Sequence, residues 1–312
     1  MQNFWCKNPQ AAAEAVRCRW PKSAEHTIFI ADEICRGRYL FQDHWEMEPT
    51  HTAVDFGAEI AGIDWAAVPF GDVEWLYAMN RHTSFVNLAK AWLYTGDARY
   101  AQHFAALLDD WIARVPLTEE SAPNTWRSLE TGLRCENWLR AAALLAGSGV
   151  LTDERRARMD ACLTQHGEHL VRSYDTFHKL SNWGILQDNG LYLLGLYLRR
   201  QDWCALAARR MDENLHRSVF ADGSQWEQSP LYHCEVLHNA LNTLHYAQAA
   251  GQTLPDRMVE NIRRMCAALA KWCKPNGELL LQSDSDTVDT RDLLVLGAAL
   301  LVGMFEAAIV PV

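Results

Sequence analysis

The sequence predicts an all-α fold built from helical hairpins. Apolar residues recur at helical spacing along most of its 312 residues, and the period-two alternation of a β-strand is confined to the segment GELLLQS at 277–283. Gly, Asp, Ser or Pro stands at each junction between helical segments, where caps and stops are expected. The paired segments repeat about every 35 to 50 residues, a period typical of stacked hairpins.

The predicted helices follow one another closely from residue 75 onward. Residues 1–65 are less regular, and we expect them to form an N-terminal helical subdomain that ends in a loop. Residues 66–312 would then form the main domain. Its predicted helices cover 75–94, 98–115, 125–149, 152–174, 182–200, 202–220, 229–251, 254–273 and 291–309.

In each hairpin one helix is more apolar than its partner. The segment 182–198 is hydrophobic nearly all round and must be buried, whereas 152–170 is amphipathic and charged. This alternation fits an α/α toroid with an inner and an outer ring of helices, and a plain bundle or an open solenoid stays possible. The last helix, 291–309, has no helical partner after it. We expect it to pack against the N-terminal region or to leave an apolar face uncovered.

Composition excludes several classes of function. A net charge of −10 argues against binding to nucleic acid or to an acidic membrane surface. No run of about 18 apolar residues predicts a membrane span. The nine cysteines lack C-x-x-C spacing, which predicts free thiols in a reducing compartment. The N-terminus has no signal-peptide pattern, so the cytoplasm is expected, with the periplasm as the alternative if a leader has been removed.

The stretch DGSQWEQSPLYH, 222–233, contains a predicted helix start whose side chains could take part in catalysis. Ser229 is predicted to be the N-cap, and Pro230 the first helical residue. Tyr232 and His233 would then lie in the first turn, near unsatisfied N–H groups and the positive end of the helix dipole. The stretch is either a simple cap or one wall of an active site.

A polar stripe is predicted on the helix that covers 125–149. Arg127, Glu130, Arg134 and Asn137 share one helical face. A salt-bridged or solvated stripe is as good an interpretation as a binding surface.

Further polar residues lie on other apolar helices. Asn182 begins the segment 182–200, where a helix cap is the simpler interpretation. Asn80, Arg81 and His82 fall in the middle of the helix predicted at 75–94, and Glu227 precedes Tyr232. If these helices form an inner ring, their polar groups converge on a common centre.

Other catalytic patterns are missing from the sequence. It contains no HExxH, G-x-S-x-G, P-loop or dinucleotide-binding glycine motif. His166 and His169 lie on a charged helix, where a solvated face is expected rather than a metal site. Asp284, Asp286 and Asp289 lack EF-hand spacing and are expected to cap the last helix. No metal or cofactor is expected.

Five motifs together resemble the heparinase II/III-like polysaccharide lyases, the alginate and heparan sulfate lyase type. They are EWLYAMNRH, TWRSLETGLRCENWL, SNWG, DGSQWEQSPLYH and SDSD, and the resemblance covers the chain from about residue 65 in the family's order. It implies an α/α toroid followed by a β-sandwich, and β-elimination of uronic-acid polysaccharides. The sequence ends in GMFEAAIVPV without a strand-rich segment. We therefore expect the sandwich to be absent from these residues, the cleft to be open and activity to be weak.

The resemblance also implies roles for single residues. Tyr232 matches the catalytic tyrosine, and Asn182 matches the asparagine that neutralises the uronate carboxylate. Several members have a histidine after that asparagine, but Trp183 follows it here, so no second base is implied at that position. His233 is expected to assist, and Glu227 to orient the tyrosine loop. The residues expected to bind substrate are Arg134, Arg81, His82, Asn80, Trp183, Glu227 and Trp126.

The residue types suit this chemistry. Elimination removes a proton alpha to a carboxylate and expels the 4-linked oxygen, so the developing charge needs an amide or a cation. A free tyrosine has a pKa of about 10, and a helix N-terminus and nearby cations would favour its phenolate. Once protonated, the phenol can donate to the leaving oxygen.

Two alternatives to an acidic-polysaccharide lyase stay open. A glycoside hydrolase on a similar toroid would use Glu227 and Asp284 as its acid and base. A non-catalytic glycan-binding domain would bind uronate oligomers without turnover.

Overall fold

A computed structural model of the chain describes residues 8–41, 52–286 and 288–305. They form α-helices, two short 3₁₀ turns and one pair of two-residue strands. The chain divides into two compact units, residues 1–170 and 171–312. None of the described helices is both long and apolar enough to cross a membrane.

The first unit is organised around helix α4, which packs against α2, α5 and α6. A β-ribbon follows α2, in which β1 (Arg38–Tyr39) pairs antiparallel with β2 (Val54–Asp55). The helices are α1 (Pro9–Arg19), α2 (Pro21–Cys35), α3 (Val73–Arg81), α4 (Thr83–Thr95), α5 (Ala98–Arg114), α6 (Ser128–Leu144) and α7 (Asp153–Arg172), the last reaching just past the division.

The second unit is organised around α8 and α10, which pack against each other. Helix α9 covers α8, and α11 and α12 cover α10. Almost every residue of α8 is buried, as its sequence predicts. The helices are α8 (Asn182–Tyr197), α9 (Gln201–Ser218), α10 (Pro230–Ala249), α11 (Asp256–Trp272) and α12 (Arg291–Phe305).

Gly184 lets the segment before α8 fold back onto that helix. A Cβ atom at this position would lie 2.0 Å from the carbonyl oxygen of His178, closer than two such atoms can approach. The same carbonyl accepts a hydrogen bond from Asn214 of α9 at 3.1 Å. This close packing fixes the start of α8, where Asn182 lies.

The structure differs from the sequence prediction in two segments. The helix expected at 75–94 is two helices, because His82 adopts a left-handed backbone conformation (φ 59°) between α3 and α4. Segment 277–283 forms no strand; Glu278 makes only a single bridge to Asp289. Helix α12 packs on α10 and α11, where Gly297 lies against Cys266, while its Val295 side chain is exposed, which fits the expectation of an uncovered apolar face. The subdomain boundary expected at residue 65 falls inside the first unit and stays a prediction.

Candidate active site

Helix α10 begins where the sequence predicts. Ser229 is its N-cap, with extended backbone angles (φ −104°, ψ 121°), and its Oγ accepts a hydrogen bond from the Tyr232 N–H at 3.3 Å. Pro230 is the first helical residue, a position where its missing N–H costs no hydrogen bond. Tyr232 therefore lies in the first turn of the helix, half-buried.

A loop that contains Asp284 and Ser285 is hydrogen-bonded to this first turn of α10. The Tyr232 hydroxyl donates to Asp284 Oδ2 at 2.6 Å. Ser229 Oγ donates to the carbonyl oxygen of Asp284 at 2.6 Å, and Ser285 Oγ accepts from the Leu231 N–H at 3.1 Å. The loop is thus fixed to the helix by side-chain and main-chain groups together.

Strained backbone flanks both sides of this contact. Gln228 has φ 56° and Ser283 has φ 54°, a left-handed region that costs residues other than glycine about 1 kcal/mol or more. Such conformations persist where the surrounding contacts over-determine them, and they concentrate at functional sites.

Asn182 is the first residue within α8, so the helix-cap interpretation of its side chain is wrong. The N-cap is Ser181, whose side chain makes no capping hydrogen bond. Asn182 Nδ2 lies 3.5 Å from Glu227 Oε2, which also accepts from Gln225 Nε2 at 3.1 Å. Burial raises the pKa of Glu227, and these hydrogen bonds oppose that shift.

Aromatic and apolar side chains surround the start of α8. The half-buried ring of Trp183 contacts Phe177 edge-on, with 5.3 Å between ring centroids. Trp226 Nε1 donates to the Leu180 carbonyl oxygen at 2.5 Å. Phe177, Leu180 and Trp226 are all exposed. This surface adjoins Asn182 and Glu227 in sequence and suits the apolar face of a sugar ring.

His233 lies on the buried side of α10. Its Nε2 donates to the Met265 carbonyl oxygen at 3.1 Å, and its ring packs edge-on against Trp272. Burial lowers its pKa to about 4. These contacts lie in the core between α10 and α11, and the catalytic role expected for His233 stays a prediction.

Arg134 is fully buried in the first unit. Its Nε donates to His166 Nε2 at 2.8 Å, and Nη1 donates to the carbonyl oxygens of Asn80 and Thr125 at 2.7 and 3.0 Å. Desolvation lowers the pKa of Arg134 to about 10. Its contacts favour a role in holding the core, and its role in substrate binding stays a prediction.

Three other predicted binding residues share this buried cluster. Asn80 Oδ1 accepts from Trp111 Nε1 at 3.0 Å, and His82 Nδ1 accepts from Trp138 Nε1 at 2.7 Å. Trp126 is fully buried and donates to a backbone carbonyl. All three side chains thus make hydrogen bonds within the core of the first unit.

The polar stripe of α6 is salt-bridged. Glu130 is fully buried and lies 3.2 Å from Arg81 Nη2 and 2.5 Å from Arg127 Nε. Arg81 also approaches Glu74 at 3.5 Å. The Arg127 guanidinium lies 3.2 Å from the centre of the Tyr77 ring. The two arginine charges are thus balanced by two carboxylates, Glu130 and Glu74.

The predicted residues therefore fall into two groups. The second unit holds the start of α8 with Glu227, and the start of α10 with Asp284. The first unit holds a buried hydrogen-bonded cluster and the salt-bridged stripe. The predicted binding residues that lie in the first unit are Arg134, Arg81, His82, Asn80 and Trp126.

Sequence reasoning missed one residue, His166, and one contact, that of Asp284. His166 is fully buried beside Arg134, contrary to the solvated face expected for it. Its position on the same face of α7 as buried Met159, Leu163 and Leu170 is the signal that could have located it. The sequence offers Asp284 as a helix cap or as a carboxylate of a hydrolase, but no local pattern indicates its hydrogen bond to a tyrosine 52 residues away.

Comparison with known proteins adds to this geometry. A family model described as Heparinase II/III N-terminus matches residues 29–300. A heparin-sulfate lyase of Bacteroides stercoris is 22% identical over 289 residues, which cover 85% of this chain and 42% of that protein. The chain thus spans less than half the length of this curated relative.

Solved structures share the fold. A crystal structure of heparinase III is similar with a TM-score of 0.73 and 20% identity, over 90% of this chain and 45% of that chain. An alginate lyase from Bacteroides ovatus is similar with a TM-score of 0.62 and 14% identity, over 98% of this chain and 92% of that chain. The predicted fold class, all-α and of the α/α toroid type, is confirmed.

Proposed function

The chain belongs to the heparinase II/III N-terminus family, and on that premise we propose that it is the helical part of a polysaccharide lyase. Its substrate is a glycan that contains uronic acid, cleaved by β-elimination. The observation that carries this proposal is Tyr232, held at the start of α10 with its hydroxyl in a 2.6 Å hydrogen bond. The names of the similar proteins, heparin-sulfate lyase and alginate lyase, support the same class.

In the proposed reaction Tyr232 handles the proton. Elimination breaks the C5–H bond and the bond from C4 to the glycosidic oxygen, and it forms a C4–C5 double bond. The proton from C5 and the proton that the leaving oxygen gains can both pass through one phenol, which acts as base and then as acid. A half-buried tyrosine in the first turn of a helix can reach both atoms of a bound sugar.

Asn182 is proposed to bind the uronate carboxylate. Its amide nitrogen is 3.5 Å from Glu227 Oε2, a long and therefore weak hydrogen bond that a substrate carboxylate can replace. A donor to that carboxylate stabilises the charge that develops when the C5 proton leaves. Glu227 orients the amide, and Gln225 in turn holds Glu227.

A glycoside hydrolase is the second candidate, because Glu227 has the features of a general acid. It is half-buried and its pKa is raised. Glu227→Gln separates the two functions. A hydrolase loses its acid and its turnover. A lyase keeps its kcat within a few-fold and binds the anionic substrate more tightly, because a negative charge near the site is gone.

The decisive experiment is a screen of uronate polymers, among them heparan sulfate, hyaluronan and alginate. Products of a lyase absorb in the ultraviolet through the new double bond, whereas products of a hydrolase carry reducing ends without that absorbance. Ultraviolet-absorbing products that disappear with Tyr232→Phe support the proposal. Binding without any product, unaffected by Tyr232→Phe, supports a glycan-binding domain instead.

A further inference from the structure

Asp284 contacts the start of α10 through two separate groups. Its carbonyl oxygen accepts from Ser229 Oγ, the N-cap, and its carboxylate accepts from the Tyr232 hydroxyl, each at 2.6 Å. The first bond involves only the backbone of Asp284, so any residue could make it. The second bond requires a side-chain acceptor at position 284.

The helix start is satisfied without the Asp284 carboxylate. Ser229 Oγ accepts from the Tyr232 N–H, and Ser285 Oγ accepts from the Leu231 N–H. These two hydroxyls satisfy first-turn donors that have no partner within the helix. The carboxylate takes no part in this capping, so capping does not account for its hydrogen bond to the phenol.

The backbone is strained on both sides of the contact between the Asp284 carboxylate and the phenol. Ser283, directly before Asp284, and Gln228, directly before Ser229, both have left-handed backbone angles. Asp284 itself is exposed to solvent, where its carboxylate would be well hydrated without a protein partner. Strain on both sides of a solvent-exposed contact is the pattern of a site built for geometry rather than for stability.

We propose that Asp284 is a positioning residue for Tyr232. In the resting enzyme its carboxylate accepts the hydrogen bond that the phenol donates, and so fixes the position of the phenol oxygen. When the C5 proton passes to the phenol oxygen, the phenol's own proton passes to the Asp284 carboxylate, and it returns when the phenol protonates the leaving oxygen. This inference rests on the proposed function, in which Tyr232 handles the proton.

The test compares three variants of the full chain. Asp284→Ala removes the acceptor and is expected to lower kcat by about 10- to 100-fold, with KM within about twofold, because a displacement of about 1 Å can cost about 10²-fold. Asp284→Asn keeps an acceptor oxygen and should recover a part of kcat. Asp286→Asn removes the same charge from the same exposed loop and should behave as the wild type.

A second measurement is independent of turnover. In protein labelled with 3-fluorotyrosine, the ¹⁹F resonance of residue 232 is identified by its loss in Tyr232→Phe. This resonance should shift in Asp284→Ala, and stay in place in Asp286→Asn. Melting temperatures show that each variant is folded.

The outcomes separate the two proposals. If Tyr232→Phe stays active, the mechanism under the proposed function fails, whatever Asp284 does. If Tyr232→Phe is inactive but Asp284→Ala has wild-type kcat and an unshifted resonance, the positioning role is wrong. A fall in melting temperature without a change in kcat would also overturn it, because that result indicates a structural role alone.

Discussion

Arg134 Nε donates a hydrogen bond to His166 Nε2 at 2.8 Å, and both side chains are fully buried. The other ring nitrogen, Nδ1, lies 2.7 Å from the carbonyl oxygen of Cys162. Nδ1 must therefore carry the proton, and Nε2 must be a lone-pair acceptor. A second proton on His166 would face the arginine N–H directly. Burial and the Arg134 charge accordingly hold the pKa of His166 well below its ordinary value.

His166→Leu is expected to destabilise the protein by about 3 kcal/mol. It leaves a buried guanidinium N–H without its acceptor, and such an unpaired group is costly. The free energy of unfolding from urea titration measures the loss. His26→Leu, an exposed position on α2, is the control and should change the free energy by less than about 0.5 kcal/mol. Equal effects at both positions would contradict the buried pairing.

The buried histidines should each destabilise the protein as the pH is lowered from about 6.5 toward 4. Burial lowers the pKa of His82, His166 and His233 in the folded state, that of His233 to about 4. Between the folded and unfolded pKa values the unfolded chain binds more protons, so acid favours unfolding, by up to about 1.4 kcal/mol per pH unit for each group. Urea titrations at several pH values test this. The free energy of unfolding should depend less steeply on pH in His166→Leu than in the wild type.

Ser229→Ala should cost about 1 to 2 kcal/mol. It removes the N-cap of α10 and the bond to the Asp284 carbonyl oxygen. Ser181→Ala is a matched control, because Ser181 is the N-cap of α8 but its side chain makes no capping hydrogen bond. Thermal melts of the two variants should therefore differ. A similar small change in both would mean that the Ser229 hydroxyl contributes little.

Tyr232→Phe should abolish turnover while folding and substrate binding persist. The change removes only the oxygen proposed to handle the proton, so the loss is expected in kcat and not in KM. Initial rates of ultraviolet-absorbing product and a binding isotherm measure the two quantities. Activity within a few-fold of the wild type would remove the tyrosine from the mechanism.

Asn182→Ala should lower the rate by about 10²-fold or more, by analogy with the loss of a donor to a developing oxyanion. Because Ser181, and not Asn182, is the helix cap, the melting temperature should change little. Kinetics and melts are therefore measured on the same samples. A large loss of stability with intact turnover would show that Asn182 serves the fold.

The sequence predicted those features whose causes are local. Periodicity located the helices, and the Ser229–Pro230 pair located the start of α10, because propensity and capping act within a few residues. The break at His82 was missed. Its left-handed backbone is accompanied by stacking on Phe85 and Trp138, and the Trp138 contact lies 56 residues away.

The candidate site was predictable only in part for the same reason. Residue types and resemblance indicated Tyr232 and Asn182, but not the partner of either side chain. Arg134 has the spacing of a surface stripe, and only the fold shows that it lies in the core. The spacing of an arginine along its own helix is the same whether it is exposed or buried. Its burial depends on hydrogen-bond partners that neighbouring helices supply.

The hydrogen bond between Tyr232 and Asp284 also bears on the order in which parts of the chain fold. The two residues are 52 positions apart, and a chain synthesised from its N-terminus contains all of α10 well before it contains Asp284. Until that loop is made and α11 has turned it back, the tyrosine is present without its hydrogen bond to Asp284. Closing such a long loop is one of the slower steps available to a helical chain. The helix that carries Tyr232 can thus form before the hydrogen bond from Tyr232 to Asp284 does.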